Sequence, residues 1–149
     1  MTISRPVALL LITLACAYPA AAQPLPTTKL SINGHRVTAE VAATVDTQTI
    51  GLMHRFSLQS DHGMLFVFRA PRPLAFWMKD TYIPLSIAFI EADGKILNIE
   101  DMAPQTESTH LSHGAAMFAL EMKKGWFAQR GIVAGDRVDG LAQAPKAFE

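Results

Sequence analysis

Apolar and polar side chains alternate in short stretches along most of this chain, the pattern of β-strands with one buried face. Leu30 and Ile32 alternate with polar neighbours, and Val37 begins a second alternating stretch that runs to residue 41. Asn33-Gly34 between the stretches is a two-residue hairpin sequence, so they are predicted to pair. Further strands are predicted over residues 64–68, 76–78, 85–90, 96–99 and 116–122, the first of them apolar on both faces and therefore buried on both sides.

Two short segments carry helix signals instead. Thr44 is a suitable N-cap for a short helix that reaches Leu52-Met53. Residues 125–130 are predicted to form a helical turn or two that ends at Gly131, since glycine readily takes the left-handed conformation that closes a helix. With about six or seven strands and so little helix, the pattern predicts a mainly β (α+β) single domain, a small barrel or a strongly curved antiparallel sheet.

The N-terminal segment has the features of a secretory signal peptide. Arg5 precedes an apolar run over residues 7–18, and small residues follow at the positions that a signal peptidase reads. Cleavage is therefore predicted after Ala22, with a periplasmic or secreted product. The run is shorter than the roughly 20 residues of a membrane-spanning helix. Cys16 raises a lipid-anchored alternative, which is disfavoured because Thr13, not a large aliphatic residue, stands three positions upstream.

The remainder is predicted to be one domain with short flanking segments. Residues 23–28, which include Pro24 and Pro26, are expected to form an extended leader. Residues 29–140 carry the strand pattern and form the globular domain. Residues 141–149 are weakly patterned and are expected to fray.

Composition narrows the classes of function. The 149 residues include 13 basic and 13 acidic side chains, so no positive excess favours a nucleic-acid partner. A single cysteine excludes a disulfide scaffold and a cysteine-built metal cluster. The chain has no nucleotide-binding glycine loop, zinc-protease motif or serine-nucleophile elbow, so no cofactor is expected and no motif favours catalysis.

Several separated blocks are similar to one known family. They are Gly51-Leu52-Met53, GMLFVF over residues 63–68, FWMKDTYIPL over residues 76–85, Leu120-Glu121 with Gly125-Trp126, and Gly135-Asp136. In this order, across residues 30–138, they resemble the domain of unknown function 192 family of bacterial exported proteins. The resemblance implies a compact, mainly β domain with little helix. It implies no reaction, because the family is defined by no activity.

Three positions depart from the pattern of that family. Similar sequences usually have Arg where this chain has Gln48 and Asp where it has Ser86, and they favour Asn where Asp80 stands. Losing only one member of a buried ion pair leaves an uncompensated charge. The paired change therefore leads to the hypothesis that Gln48 and Ser86 are spatial neighbours.

The aromatic-rich stretch between residues 64 and 89 holds the candidate binding surface. Strand alternation puts Phe76 and Met78 on one face and Trp77 with Lys79 on the other. A half-exposed ring beside a cation can stack on a sugar or heterocycle, or hold the lysine by a cation–π contact. The competing interpretation is that Trp77 only covers the core.

The loop that follows adds an acid and a phenol. Asp80 and Tyr82 precede Pro84, which restricts the backbone and makes the loop stiff. A stiff loop with polar groups is a common way to build a binding site. The competing interpretation is that Asp80 caps its own turn through its side chain.

Glu121 and Arg55 complete the candidate set. Glu121 shares a strand face with Ala119, so it either faces solvent or points into a pocket, and an interior carboxyl is expected to need Arg55 or Lys79 as its partner. Two carboxyls with separated pKa values divide acid and base roles in hydrolases. Asp80 and Glu121 are therefore the candidate catalytic pair.

A metal site has weaker support. His110 and His113 lie close together in a polar stretch, but no third ligand stands nearby. We therefore expect no metal site, with these two histidines as the weak candidates.

The sequence thus favours an exported, non-catalytic domain that binds a small polar ligand with an apolar face, such as a saccharide. The predicted ligand-binding residues are Trp77, Lys79, Asp80, Tyr82, Arg55 and Glu121. A carboxylate-pair hydrolase and an envelope protein-interaction module are the alternatives. A pocket at Trp77 favours a small molecule, whereas a flat apolar patch there favours a protein partner.

Overall fold

The computed structural model describes residues 24–148, in which strands predominate. The longer strands are β1 (Thr27–Ile32), β2 (His35–Ala42), β3 (His62–Arg72), β5 (Leu85–Ile90), β6 (Ile96–Met102) and β8 (Ala116–Lys123). The two-residue strands are β4 (Ala75–Phe76), β7 (His110–Leu111) and β9 (Val138–Asp139). The helices of this part of the chain are α1 (Val45–Ile50) and two 3-10 helices, Ala128–Arg130 and Leu141–Gln143. The predicted mainly β fold is confirmed.

Local sequence signals account for the turns and the helix. Asn33 and Gly34 have φ values of 49° and 82°, the positive values that a tight hairpin turn between β1 and β2 requires. Thr44 caps α1, and its side chain accepts a hydrogen bond from the Thr47 backbone. The helix ends at Gly51, before the predicted Leu52-Met53. Gly51 has a φ of 49°, a left-handed value that stops a helix.

Seven strands form one strongly curved half-barrel sheet in the order β6-β5-β8-β3-β2-β1-β9, and β4 pairs with β7 separately. The neighbours are antiparallel except β2 and β3, which run parallel. A parallel pair needs a long crossover connection, because a short turn cannot return the chain to the same end of the sheet. Residues 43–61, which include α1, form that crossover.

The central strands are buried on both faces, as predicted for residues 64–68. On one face, Leu65 of β3 and Leu120 of β8 belong to a core that also contains Phe127, which we call the first core. On the other face, Phe66 of β3 and Phe89 of β5 belong to the second core. The sheet is thus the middle layer of the domain, and the side chains of successive strand residues enter different cores.

The flanking segments pack on this domain. Leu25 packs against the second core, and β1 begins at Thr27, inside the predicted leader. The expectation of a frayed C-terminus is wrong for residues 141–148, because Ala144 is buried in the first core and the Phe148 N–H donates to the Ala43 carbonyl at 3.0 Å.

The predicted signal peptide of residues 1–22, with Cys16, lies outside the described residues. Within residues 24–148, no helix has the length and apolar character needed to cross a membrane.

Candidate functional site

An open cavity of about 670 Å³ lies over the second core. The sheet contributes Phe66 and Glu121, and we call this side the floor. The α1 helix with the turn after it forms another side, and residues 72–77 form the third. The crossover between the parallel strands therefore helps to build the cavity, because it carries α1 over this face of the sheet.

Glu121 is the buried acid of this cavity, and only 4% of the residue is exposed. Its neighbours across the sheet are Met64 of β3 and Ile87 of β5. Removal from water in these apolar surroundings raises the pKa of Glu121 to about 8, because burial disfavours the charged form.

The Glu121 carboxyl has no partner among residues 24–148. No hydrogen bond or ion pair joins it to another of these side chains. Within the same residues, every fully buried side-chain oxygen or nitrogen has a hydrogen-bond partner. The Glu121 oxygens are therefore not sealed in the core but reach the cavity. The predicted partners are wrong, since Arg55 pairs with Glu40 and Lys79 lies over Trp77.

Gln48 and Arg72 add polar groups to the lining. Gln48 on α1 donates through Nε2 to the Val67 carbonyl at 2.6 Å, which leaves Oε1 as an acceptor. The Arg72 guanidinium is exposed and lies 4.9 Å from the centre of the Phe68 ring. The cavity thus has an acid and an amide oxygen inside and a cation at an exposed position.

Trp77 lines the cavity and is 49% exposed. The Lys79 Nζ lies 5.6 Å from its ring centre, while Met78 between them is fully buried. The prediction that Trp77 and Lys79 share a face is confirmed. Phe76 points inward and meets the Phe66 ring edge-to-face with centroids 4.8 Å apart. Trp77 is thus held beside the cavity with much of its ring free for a ligand.

The sequence of this domain matches the profile of a known protein family. The profile of domain of unknown function 192, described as "Uncharacterized ACR", matches residues 28–140. The chain belongs to this family. The resemblance expected from the sequence blocks is therefore confirmed.

Two solved structures share the fold of this DUF192 domain. A candidate transcription regulator from Sinorhizobium meliloti 1021 is 33% identical with a TM-score of 0.77, and the match covers 81% of this chain and 98% of that chain. A protein of unknown function from Novosphingobium aromaticivorans is 29% identical with a TM-score of 0.72, covering 86% and 94%. None of the curated proteins compared with the chain matches it.

The separated blocks that carry the DUF192 resemblance meet at the cavity. Gly51-Leu52-Met53 lines the side formed by the crossover, and Phe66 belongs to the GMLFVF block. Trp77 and Thr81 come from the FWMKDTYIPL block, and Glu121 comes from Leu120-Glu121. Residues far apart in the chain thus converge on one space.

Asp80 lies outside the cavity lining. It is exposed, has a left-handed φ of 52°, and accepts through its backbone carbonyl from the His54 N–H at 2.9 Å. Its carboxyl makes no hydrogen bond within residues 24–148, so the predicted side-chain cap of the turn is not formed. Asp80 and Glu121 therefore do not face one another across this cavity.

Tyr82 and Arg55 also lie elsewhere. Tyr82 stacks on Phe56 with ring centroids 5.1 Å apart and an interplanar angle of 7°. Arg55 binds both carboxylate oxygens of Glu40 at 2.5 and 2.6 Å. The predicted ligand set thus divides: Trp77 and Glu121 line the cavity, Lys79 contacts Trp77 from outside, and the other three lie on adjacent surfaces.

The Arg55–Glu40 pair has a simple energetic consequence. Partly exposed ion pairs contribute at most about 1 kcal/mol, so Arg55→Ala is expected to lower the free energy of unfolding by no more than that. Urea denaturation of Arg55→Ala beside Glu40→Ala measures this loss. A loss well above about 1 kcal/mol would show that Arg55 makes a larger contribution than a partly exposed ion pair allows.

The two histidines do not build a metal centre with their neighbours. His110 Nδ1 lies 2.7 Å from a Glu100 carboxylate oxygen, and the His113 backbone N–H donates to Asn98. In the described range, no three metal-ligating side chains lie close enough to hold an ion.

The hypothesis that Gln48 and Ser86 are neighbours is wrong. Gln48 lines the cavity over the second core and bonds to Val67. Ser86 donates to Asp101 at 2.5 Å and faces a different cavity. Ser86 pairs with Met122, and Met122 pairs with Gly63, which lies four residues before Val67. At the spacing and rise of β-strands, the Cα atoms of Ser86 and Val67 are therefore about 16 Å apart.

Gln48 and Arg72 are the lining residues that the sequence did not single out for binding. In the sequence, Gln48 stands out only as a departure from a family pattern, and Arg72 lies in no recognisable motif. Their place in the site depends on the crossover and on the end of β3, which no local pattern brings together.

Proposed function

We propose that this protein is an exported, non-catalytic domain that binds a small polar molecule with an apolar face, such as a saccharide. The ligand occupies the cavity of Glu121 and Trp77. The observation that carries the proposal is the buried Glu121 carboxyl, which reaches an open cavity without a partner among residues 24–148. Burying a polar group without hydrogen bonds costs free energy, so a ligand that supplies the missing contact explains its position.

The dimensions and lining of the cavity support a small ligand. Its volume of about 670 Å³ lies within the range of small-molecule sites, which are mostly apolar with a few polar groups. Phe66, Phe68 and Trp77 supply aromatic surface, and Glu121 and Gln48 supply hydrogen-bonding groups. This combination suits a ring with polar edges and an apolar face.

The hydrolase alternative has less support. A carboxylate-pair mechanism places two carboxyls on either side of the substrate. Glu121 is the one carboxyl in the lining, as far as residues 24–148 are concerned, and Asp80 lies outside it. Binding without catalysis is therefore the simpler proposal.

The description of the Sinorhizobium protein raises a regulatory role. Direct binding to nucleic acid usually depends on a basic surface that neutralises phosphates. The equal numbers of acidic and basic side chains in this chain do not favour such a surface. We therefore propose a small molecule, not nucleic acid, as the partner.

A thermal-shift screen tests the proposal. The purified protein, Trp77→Ala and Phe56→Ala are screened against cell-wall sugars, oligosaccharides, nucleotides and divalent metals. A ligand at a hundred times its Kd should stabilise the native protein by about 2.7 kcal/mol, because it binds only the folded state. Trp77→Ala should lose most of this shift, and Phe56→Ala, an exposed aromatic outside the cavity, should keep it.

Other outcomes would redirect the search. A metal that stabilises the native protein and Trp77→Ala equally would point to the histidines. A panel without any stabilising compound, with Trp77→Ala merely less stable, would leave Trp77 as a packing residue.

An envelope protein as partner is the second candidate. The Phe56 side chain is 85% exposed although it is large and apolar, and it stacks on Tyr82. Exposed apolar side chains that cluster are typical of protein interfaces. In this case, retention of a partner from an envelope extract should depend on Phe56 and Tyr82 and tolerate Glu121→Gln.

A further inference from the structure

The floor of the cavity and two hydroxyl groups of its lining offer hydrogen-bond acceptors. The Thr49 hydroxyl donates to the Val45 carbonyl at 2.8 Å, and the Thr81 hydroxyl donates to the Lys79 carbonyl at 3.1 Å. Each threonine has used its single donor and can offer the cavity only lone pairs. Gln48 has used one amide hydrogen on a backbone carbonyl and retains Oε1 and its second amide hydrogen. The other side-chain donors of the lining belong to Trp77 and Arg72, which are exposed.

When ionised, the Glu121 carboxyl adds two more acceptor oxygens at the floor. The residues beside it on β3 and β5 are Met64 and Ile87, and Gln48 lines the cavity from α1, so none of these neighbours is charged. Arg72 is the other ionisable side chain in the described lining. No ion pair joins Arg72 to Glu121, so this carboxyl has no cation beside it among the described residues.

We propose that the ligand of this cavity carries a protonated amine on a small ring, and that the amine binds the Glu121 carboxylate while the ring contacts Trp77. This inference rests on the proposed function and names the ligand class. An ammonium group has three donors and no acceptor, which matches an acceptor-rich floor. Aromatic faces such as that of Trp77 attract the same charge. Amino sugars are the saccharides that meet both conditions.

Binding of this ligand must displace a proton. Near neutral pH, the carboxyl with a pKa of about 8 is mostly protonated in the empty cavity. When an ammonium ion binds, the Glu121 O–H proton passes to solvent, and the carboxylate and ammonium form a pair of zero net charge. Affinity should then rise about tenfold per pH unit below the pKa, provided that the amine stays protonated.

Matched pairs of compounds test this inference. Glucosamine is compared with glucose, and benzylamine with benzyl alcohol, so that each pair differs in the amine. The indole N–H resonance of Trp77, assigned with Trp77→Phe, reports binding at millimolar concentration, and that of Trp126 is the internal control because it is bonded to Asp61 in a separate cavity. Calorimetry at pH 6 and pH 7 measures the affinity and the protons released.

The amines should bind at least tenfold more tightly than their hydroxyl counterparts at pH 7, with close to one proton released. Glu121→Gln keeps the shape of the side chain but cannot ionise, so it should abolish both the preference and the proton release. An unshifted Trp126 resonance in Glu121→Gln would show that the variant is folded.

Two other outcomes would distinguish failure of the amine inference from failure of the proposed function. If each amine and its hydroxyl counterpart bind equally, or if Glu121→Gln keeps the preference, the amine is not the recognised group and the proposed function stands. If no compound of either pair shifts the Trp77 resonance, the cavity does not take small rings and both proposals fail.

Discussion

Raising the pH from 5 to 8 is expected to lower the stability of the unliganded protein by about 3–4 kcal/mol through Glu121 alone. The pKa of this carboxyl is about 8 in the folded protein and 4.5 at its ordinary value. Between these values, the folded state holds a proton that the unfolded state has lost. Loss of that proton therefore favours unfolding, and stability falls through this window as pH rises.

Glu121→Gln isolates this effect. The amide keeps the size of the side chain and does not titrate, so the variant should lose the downward slope and exceed the native protein at pH 8 by about 3 kcal/mol, or about 10 °C in Tm. Urea denaturation between pH 5 and pH 8 measures both curves. Asp80→Asn is the matched control, because Asp80 is exposed and should leave the slope intact. Parallel curves for Glu121→Gln and the native protein would show that Glu121 titrates normally.

Gly63→Ala is expected to destabilise the protein by about 3 kcal/mol or more, since overpacking against backbone cannot be relieved by a side-chain rotation. A Cβ at Gly63 would lie 2.3 Å from the Glu121 carbonyl oxygen and 2.4 Å from the Met122 sulfur. Strands β3 and β8 pair here, so they would have to separate beneath the cavity floor. The substitution should therefore also disturb the ligand binding that we propose for the cavity.

Gly131→Ala is the control for this substitution. Gly131 has a φ of 65°, but a Cβ there would meet nothing within 4 Å. Its cost should be limited to the left-handed backbone, about 1–2 kcal/mol. Chemical denaturation of both variants compares the two mechanisms. Equal losses would mean that β3 and β8 adjust to the added methyl group without strain.

The fold was largely predictable because its determinants are local. The alternation of Leu30 and Ile32, the turn at Asn33-Gly34 and the cap at Thr44 each act within a few residues. The pairing direction of β2 and β3 was not predictable in this way. It depends on where the crossover packs, and a strand carries the same alternation whether its neighbour is parallel or antiparallel.

The candidate site was predictable only in part. Strand alternation correctly placed Trp77 and Lys79 on one face. It also allowed Glu121 to point into a pocket, where the structure buries it. The expected partners of Glu121 were wrong, because an ion pair depends on the positions of distant segments. Arg55 lies close enough to Glu40 to form a bidentate pair, and this contact removes it from the cavity.

The amino-acid sequence alone predicted the family, the strands and turns, and which side chains of each strand share a face. These follow from short-range sterics and from the two-residue period of a strand. Tertiary packing was needed to show that α1, residues 72–77 and β8 enclose one cavity, and that Glu121 reaches it without a partner among the described residues. Burial and the lack of a partner for a carboxyl arise from the packing of segments far apart in the chain, so no local pattern contains them.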